Sequence, residues 1–216
     1  MKYISYLLAI SGIYFFIFAC QPAPCTDDGC PEFYELTQPP ENLDVGMIEK
    51  EYSIIPVVAT DNKDDFVYSL NECITHLYID VPREKQIPRE LIIAQAALET
   101  GWGTSRFANE ANNLFGIRTW NKDEPYLLPI PWTKWPGWGV KVFKTKCDSV
   151  AHYIKIINEV FAYEEFREVR AKILEHGETP NGLDLAHTLT KYASRPNYTE
   201  LVATLIKYNI RGVYEL

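Results

Sequence analysis

Four prolines, Pro125, Pro129, Pro131 and Pro136, stand in one stretch of a chain that otherwise patterns as helix. Each lacks an amide hydrogen and crowds the preceding turn, so no long α-helix crosses residues 120–146. The pair Pro136-Gly137 is a turn signal, and residues 139–143 have β character. The stretch reads as an irregular β-hairpin inserted between two helical halves. That makes the chain α+β and mainly α, with the hairpin placed to line a cleft against the helical body.

The flanking segments carry apolar residues at helical spacing. Phe66, Val67, Leu70, Ile74 and Leu77 predict a helix over 64–77. Residues 88–100 predict a second, with Pro88 in its first turn and Gly101 as its stop. After the hairpin, Asp148 is the expected N-cap of a helix carrying Val150, Tyr153, Ile154, Ile157, Val160 and Phe161. A helix over 164–176 aligns Phe166, Val169 and Ile173 and ends at Gly177. Two more are expected over 183–192 and 198–208, split by Pro196. The β-branched run at 52–58 reads as a strand or as an extended strap on the domain.

The first residues belong to targeting rather than to the fold. Lys2 precedes an apolar run over 4–18, short for a membrane span and of the length of a signal core. Ile17-Phe18-Ala19-Cys20 resembles the lipobox of bacterial lipoproteins, which would remove residues 1–19 and leave Cys20 as the lipid-bearing first residue. An uncleaved anchor and a plain secretion signal are the alternatives. Residues 20–50 hold Pro22, Pro24, Pro31, Pro39 and Pro40, and read as a tether between the membrane and a domain over 51–216. Cys25, Cys30, Cys73 and Cys147 then remain, an even number that permits three disulfide connectivities in an exported chain. Cys25 with Cys30 would close a small loop, and Cys73 with Cys147 would join two helices.

One carboxyl stands out. At about 100° per residue, Ile92, Gln95 and Ala96 share a helix face with Glu99, while Glu90 points almost opposite. Lost hydration and the negative helix C-terminus both raise the pKa of a carboxyl so placed, which is what a proton donor to a glycosidic oxygen requires. The alternative is an interfacial Glu99 paired with Arg106 or Arg118.

Residues 94–108, Ala-Gln-Ala-Ala-Leu-Glu-Thr-Gly-Trp-Gly-Thr-Ser-Arg-Phe-Ala, followed by Asn112-Asn113-Leu114-Phe115-Gly116-Ile117, closely resemble the bacterial N-acetylglucosaminidase family. These are the flagellar-type and Bax-type peptidoglycan hydrolases of the lysozyme-like superfamily, whose blocks read about AQAALESGWGTSRFA and NNLFGI. Tyr192-Ala193-Ser194-Arg195-Pro196-Asn197-Tyr198 resembles their looser second motif, YATDPNY. The likeness covers about 85–209. It implies a lysozyme-like fold, cleavage of the β-1,4 bond after N-acetylglucosamine in peptidoglycan, and Glu99 as general acid. Tyr192 would position the substrate or steady charge at the anomeric carbon, or else simply pack, since Leu185 and Leu189 share its face. Tyr198, from the same motif, joins the substrate side. The NNLFGI block would shape the cleft floor through Phe115, with Asn113 and the backbone at Gly116 meeting an N-acetyl group or serving only the turn.

Trp102 either stacks on a sugar or plugs the core, the latter preferred. Trp120, Trp132, Trp135 and Trp138 crowd the hairpin as a glycan-binding wall or as its mini-core. The stretch 125–147 holds no Asp or Glu, so a second catalytic carboxylate is missing where several relatives of this type carry one. Either Asp123 or Glu124 folds back, or the substrate's own 2-acetamido group acts as nucleophile, which is preferred. A lytic transglycosylase or muramidase and a non-catalytic glycan-binding lipoprotein are the competing functions.

His76, His152, His176 and His187 are scattered without zinc spacing, and no P-loop or dinucleotide loop occurs, so no metal or cofactor is expected. The net charge of −8, with no basic run, argues against nucleic acid. The expected partners are glycan strands and, through the anchor, a membrane. The expected state is a monomer in the cell envelope, held at the outer membrane facing the periplasm or the cell surface.

Overall fold

The computed structural model describes residues 55–210. The signal segment 1–19, Cys20, the tether 20–50, Cys25 and Cys30 lie outside the described residues. Among the described residues no helix is long and apolar enough to cross a membrane.

Residues 55–60 form an irregular strap rather than a strand. Val58 enters the core and the Ala59 N–H donates to Ser69 Oγ at 2.8 Å. Helix α1, Lys63–Tyr78, starts on Asn62, whose side chain accepts from the Asp65 N–H, and buries Phe66, Val67, Leu70, Cys73 and Ile74. Helix α2, Arg89–Thr100, follows Pro88 and is buried without a break from Leu91 to Ala97. A helix apolar on every side belongs at the centre, and α2 packs against α1, α6 and α7. It ends where Gly101 takes φ +59°, a left-handed conformation that only glycine adopts cheaply. A short helix α3, Arg106–Glu110, capped by Ser105, follows and was not anticipated; five residues are too few to display a period.

The prolines do break the helical pattern, and the expected hairpin forms between the second and third of three strands, with one strand more than the sequence suggested. Strands β1 (Arg118–Thr119), β2 (Tyr126–Leu127) and β3 (Gly139–Lys141) form an antiparallel sheet of order β1-β3-β2. Arg118 pairs with Val140, and Tyr126 with Lys141. The extra strand lies before Trp120, and strands of two residues are too short to show alternation.

Helix α4, Lys146–Glu159, begins earlier than expected. Thr145 is the N-cap and Asp148 is the reciprocal partner three residues on, completing a capping box. The helix ends before Phe161, which is 80% exposed and not on the buried face assigned to it. Helix α5, Glu164–Glu175, is closed at Gly177 as expected. The helix expected over 183–192 shortens to α6, Gly182–Ala186, and residues up to Asn197 run in turns. Helix α7, Tyr198–Leu205, continues into a π turn, Ile206–Ile210. Of the possible disulfides the structure contains Cys73–Cys147, which ties α1 to the first turn of α4.

Candidate active site

Glu99 sits in the last turn of α2, one turn after Gln95 and on the same face. Its side chain is partly exposed at its rim, yet burial of the carboxyl pushes its pKa up to about 8, against the opposing pull of a hydrogen bond from Tyr198. Among the described residues Glu99 forms no ion pair. Arg106 is engaged with Glu110 at 2.9 Å and the Leu128 carbonyl at 3.0 Å, and Arg118 lies 3.9 Å above the Trp138 ring. The Arg-paired alternative is therefore not the one the fold adopts.

A chain of side-chain hydrogen bonds leads inward from this carboxyl. Tyr198 Oη donates to Glu99 Oε1 at 2.9 Å, Gln95 Nε2 donates to Tyr198 Oη at 3.0 Å, and Tyr153 Oη donates to Gln95 Oε1. Gln95, Tyr153 and Tyr198 are all buried. Three elements supply the chain: α2, α4 and the first residue of α7. Tyr192 stacks on Tyr198 with ring centroids 5.4 Å apart, and its hydroxyl donates to the Phe115 carbonyl at 3.2 Å. It is buried and offers a substrate almost no surface in this conformation.

The loop 112–117 lies across the end of α2. Asn113 has no exposed surface. Its amide donates to the Ile117 carbonyl at 2.9 Å and the Lys141 carbonyl at 2.8 Å, while its Oδ1 accepts from the N–H groups of Phe115 and Ile117. Every hydrogen-bonding position is thus spent on holding the loop to itself and to β3. Phe115 is likewise fully buried and stacks on Tyr153 at 4.3 Å. Neither side chain can meet a sugar here, and the direct contact expected for them is corrected to a supporting one. Gly116 differs. It has φ +65°, it is partly exposed, and a Cβ placed there would come within 4.0 Å of Glu99 Oε2. Among the described residues its N–H and C=O make no hydrogen bond.

Trp102 packs edge-on against Phe66 at 6.4 Å, with the Lys63 ammonium 5.0 Å from its ring, as a partly buried lid on the core. Trp120 is partly buried beside β1. Trp132 meets Trp138 edge-on at 5.3 Å, and Trp135 meets Tyr126 at 4.4 Å. The rings brace one another, yet Trp132 keeps 41% of its surface open.

Glu124 is held in place on the sheet. Its Oε2 accepts from Lys141 Nζ at 2.9 Å and Thr119 Oγ1 at 3.0 Å. Burial pushes its carboxyl up, but the Lys141 ammonium and the Thr119 hydroxyl outweigh this and hold it below the usual range. Asp123 is exposed, and Asp148 closes the capping box of α4. His152, pressed down to about 4 by burial and by Lys141 and Lys155, is neutral at ordinary pH. Among the described residues no cluster of His, Cys, Asp and Glu could hold a metal ion.

Gln95 and Tyr153 are the members of this site that the sequence did not mark. The one available signal was a polar glutamine in the middle of the stripe Ile92, Gln95, Ala96, Glu99, all but the last fully buried.

The glucosaminidase family model, described as mannosyl-glycoprotein endo-beta-N-acetylglucosaminidase, matches residues 75–211. Protein bax of Escherichia coli (strain K12) is 31% identical over 111 residues, which are 50% of this chain and 38% of that protein. The chain thus spans well under half the length of this relative. Among solved structures, the catalytic domain of the autolysin Auto from Listeria monocytogenes matches with TM-score 0.50 and 20% identity, over 73% of this chain and 90% of that one. The glycoside hydrolase domain of FlgJ from Salmonella typhimurium matches with TM-score 0.50 and 20% identity, over 68% and 87%. At these identities the two likenesses are of fold: a mainly helical body with a small antiparallel sheet. The family match spans more than half of the 216 residues and takes in Glu99, the loop 112–117 and Tyr198, so the chain belongs to the glucosaminidase family.

Proposed function

We propose that the protein is a peptidoglycan hydrolase that cuts the β-1,4 bond after N-acetylglucosamine, with Glu99 as general acid. One observation carries this: a carboxyl raised to about 8 is protonated at neutral pH and stands at a partly open rim. Such a group gives a proton to a leaving oxygen at a pH where an ordinary glutamate has none. The presence of an autolysin among the fold relatives is in keeping with a cell-wall substrate.

The first step needs a partner for the anomeric carbon. Glu124 is engaged by Lys141 and Thr119, and Asp148 by its cap, which favours the substrate's 2-acetamido group. Its carbonyl oxygen bonds to the anomeric carbon as the glycosidic C–O bond breaks, and the bond's electron pair leaves on the oxygen that takes the Glu99 proton. Water then attacks the anomeric carbon, reopens the ring formed with the acetamido group, and returns a proton to Glu99. The N–H and C=O of Gly116, unpaired among the described residues and beside Glu99 Oε2, suit an acetamido group. In this reading Trp120 and Trp132, each with open surface, take the sugar-facing role, while Tyr192 and Asn113 hold the loop that carries Gly116. The domain works from the end of the tether 20–50, lipid-anchored at Cys20 in the envelope, as a monomer.

The test is digestion of purified peptidoglycan by wild type and Glu99→Gln. The wild type is expected to release fragments with reducing-end N-acetylglucosamine, and the variant to lose roughly 10²–10⁴-fold in rate. Equal activity in both, or none in either, removes the enzymatic assignment. Anhydro-muramyl ends would replace hydrolysis by transglycosylation.

A further inference from the structure

We propose that Gln95 is a positioning residue that decides which oxygen of Glu99 bears the acidic proton: its amide, locked by Tyr153, keeps the Tyr198 hydroxyl donating to Oε1 and leaves the proton to Oε2. The inference rests on the general-acid role of Glu99 proposed above and deepens it.

An amide has two unlike ends. The oxygen only accepts and the NH₂ only donates, whereas a phenol does both. When Glu99 is ionised, both its oxygens accept, so the Tyr198 hydrogen must point at Oε1, 2.9 Å away. Tyr198 Oη is then left as an acceptor, and Gln95 must present Nε2 to it, 3.0 Å away. That turns Gln95 Oε1 toward Tyr153, which must donate. One direction of donation runs through the whole chain, from Tyr153 outward to Glu99.

Protonating Glu99 tests that direction. A proton on Oε1 would have to be donated to Tyr198. The Tyr198 hydrogen would then turn back to Gln95, the amide would flip, and Tyr153 would face an NH₂ with its own hydrogen unplaced. Among the described residues Tyr153 Oη has no other hydrogen bond, and the residue is 1% exposed. A buried hydroxyl without an acceptor is unfavourable, so the chain keeps its direction and the proton goes to Oε2. That oxygen faces Gly116, where no side chain stands and a Cβ would lie 4.0 Å away. The proton therefore projects into the space beside the Gly116 backbone, where a glycosidic oxygen can reach it.

The titratable groups around Glu99 are phenols from the neighbouring elements: Tyr198 of α7, Tyr153 of α4, and Tyr192 of the segment before α7. Burial and the Glu99 charge raise all three well above the usual range, so they stay neutral and act only as hydrogen-bonding groups.

The experiment uses Tyr153→Phe, which unlocks the amide and leaves Gln95, Tyr198 and Glu99 in place, with Gln95→Met as a second variant should the first fold poorly. Two quantities are read: the pH profile of peptidoglycan digestion, and the titration of the Glu99 carboxyl carbon by NMR, assigned by its absence in Glu99→Gln. Freed from its direction, the Tyr198 hydroxyl also accepts from a proton on Oε1. That stabilises the protonated acid on the wrong oxygen. The expected result is a Glu99 midpoint raised by about half a pH unit or more, with the plateau kcat falling about tenfold and KM little changed. A merely structural loss would lower the rate without moving the midpoint, and that outcome overturns the proposal, as does an unchanged or lowered midpoint in a folded variant. The NMR midpoint needs no turnover, so an inactive wild type removes the enzymatic reading while this measurement still decides the role of Gln95.

Discussion

A glutamate that ionises only near pH 8 carries a cost that belongs to that residue alone. Its folded pKa of about 8 lies above the ordinary 4.5, so the folded protein holds this proton more tightly than the unfolded chain does. The stabilising effect is fully present below about pH 4.5, declines as pH rises, and is lost once pH passes about 8. Above that point the fold bears a desolvated carboxylate at a cost of a few kcal/mol, softened by the Tyr198 hydrogen bond. Glu99→Gln removes the charge and keeps the shape. Its melting temperature should exceed that of the wild type at about pH 9, with the gap closing toward about pH 5. Parallel melting curves at every pH would show that the carboxyl is not desolvated after all. Asn113 contrasts with Glu99: it is a motif residue whose four internal hydrogen bonds make it a brace.

At the scale of elements, the site depends on how α1, α2 and α4 are held together. Glu99 and Gln95 come from α2 and Tyr153 from α4, while Cys73–Cys147 links α1 to the first turn of α4, across 74 residues of chain. Closing so long a loop restricts the unfolded chain strongly. Replacing both cysteines by alanine should therefore destabilise the domain by about 2–5 kcal/mol and lower its melting temperature by roughly 5–15 °C. Thermal denaturation of the double variant beside the oxidised wild type checks this, and an unchanged melting temperature would mean that packing alone registers α4. The Thr145–Asp148 capping box fixes the start of the same helix, on either side of Cys147. The two devices together fix the depth at which Tyr153 meets Gln95.

For the whole molecule, the division of labour we propose runs along the chain: an address over 1–19, a spacer over 20–50 and a folded body. The folded body takes in Val58 and all of α1 as well as the family match over 75–211, so the proposed placement role falls to the residues before the strap. With Cys20 as the lipid-bearing residue, the protein should partition with membranes and incorporate labelled palmitate, and Cys20→Ala should lose the label and enter the soluble fraction. The truncated body should still digest isolated peptidoglycan, because every group of the hydrogen-bonded site lies between Gln95 and Tyr198. Label retained by Cys20→Ala would remove the anchor, and loss of digestion by the body alone would place part of the active unit in the preceding segment.

What the chain determined by itself was what short-range chemistry and local pattern can encode. Helices α1, α2, α4 and α5 were legible because each repeats apolar residues over three or more turns, and the prolines of 125–136 announced the break between them. Glu99 was legible because a carboxyl that interrupts an apolar stripe loses hydration without adding to the packing, and it does so inside a distinctive motif. Only the tertiary structure decided the third strand, the pairing of Cys73 with Cys147, the shortening of α6 and the hydrogen-bonded chain behind Glu99. Tyr153 and Gln95 lie 58 residues apart, and Tyr198 and Glu99 lie 99 apart. No periodicity joins residues at such separations. Their hydrogen bonds exist because helix packing brings them within about 3 Å of one another in the buried interior, and a hydrogen bond's direction is set by the partners found there.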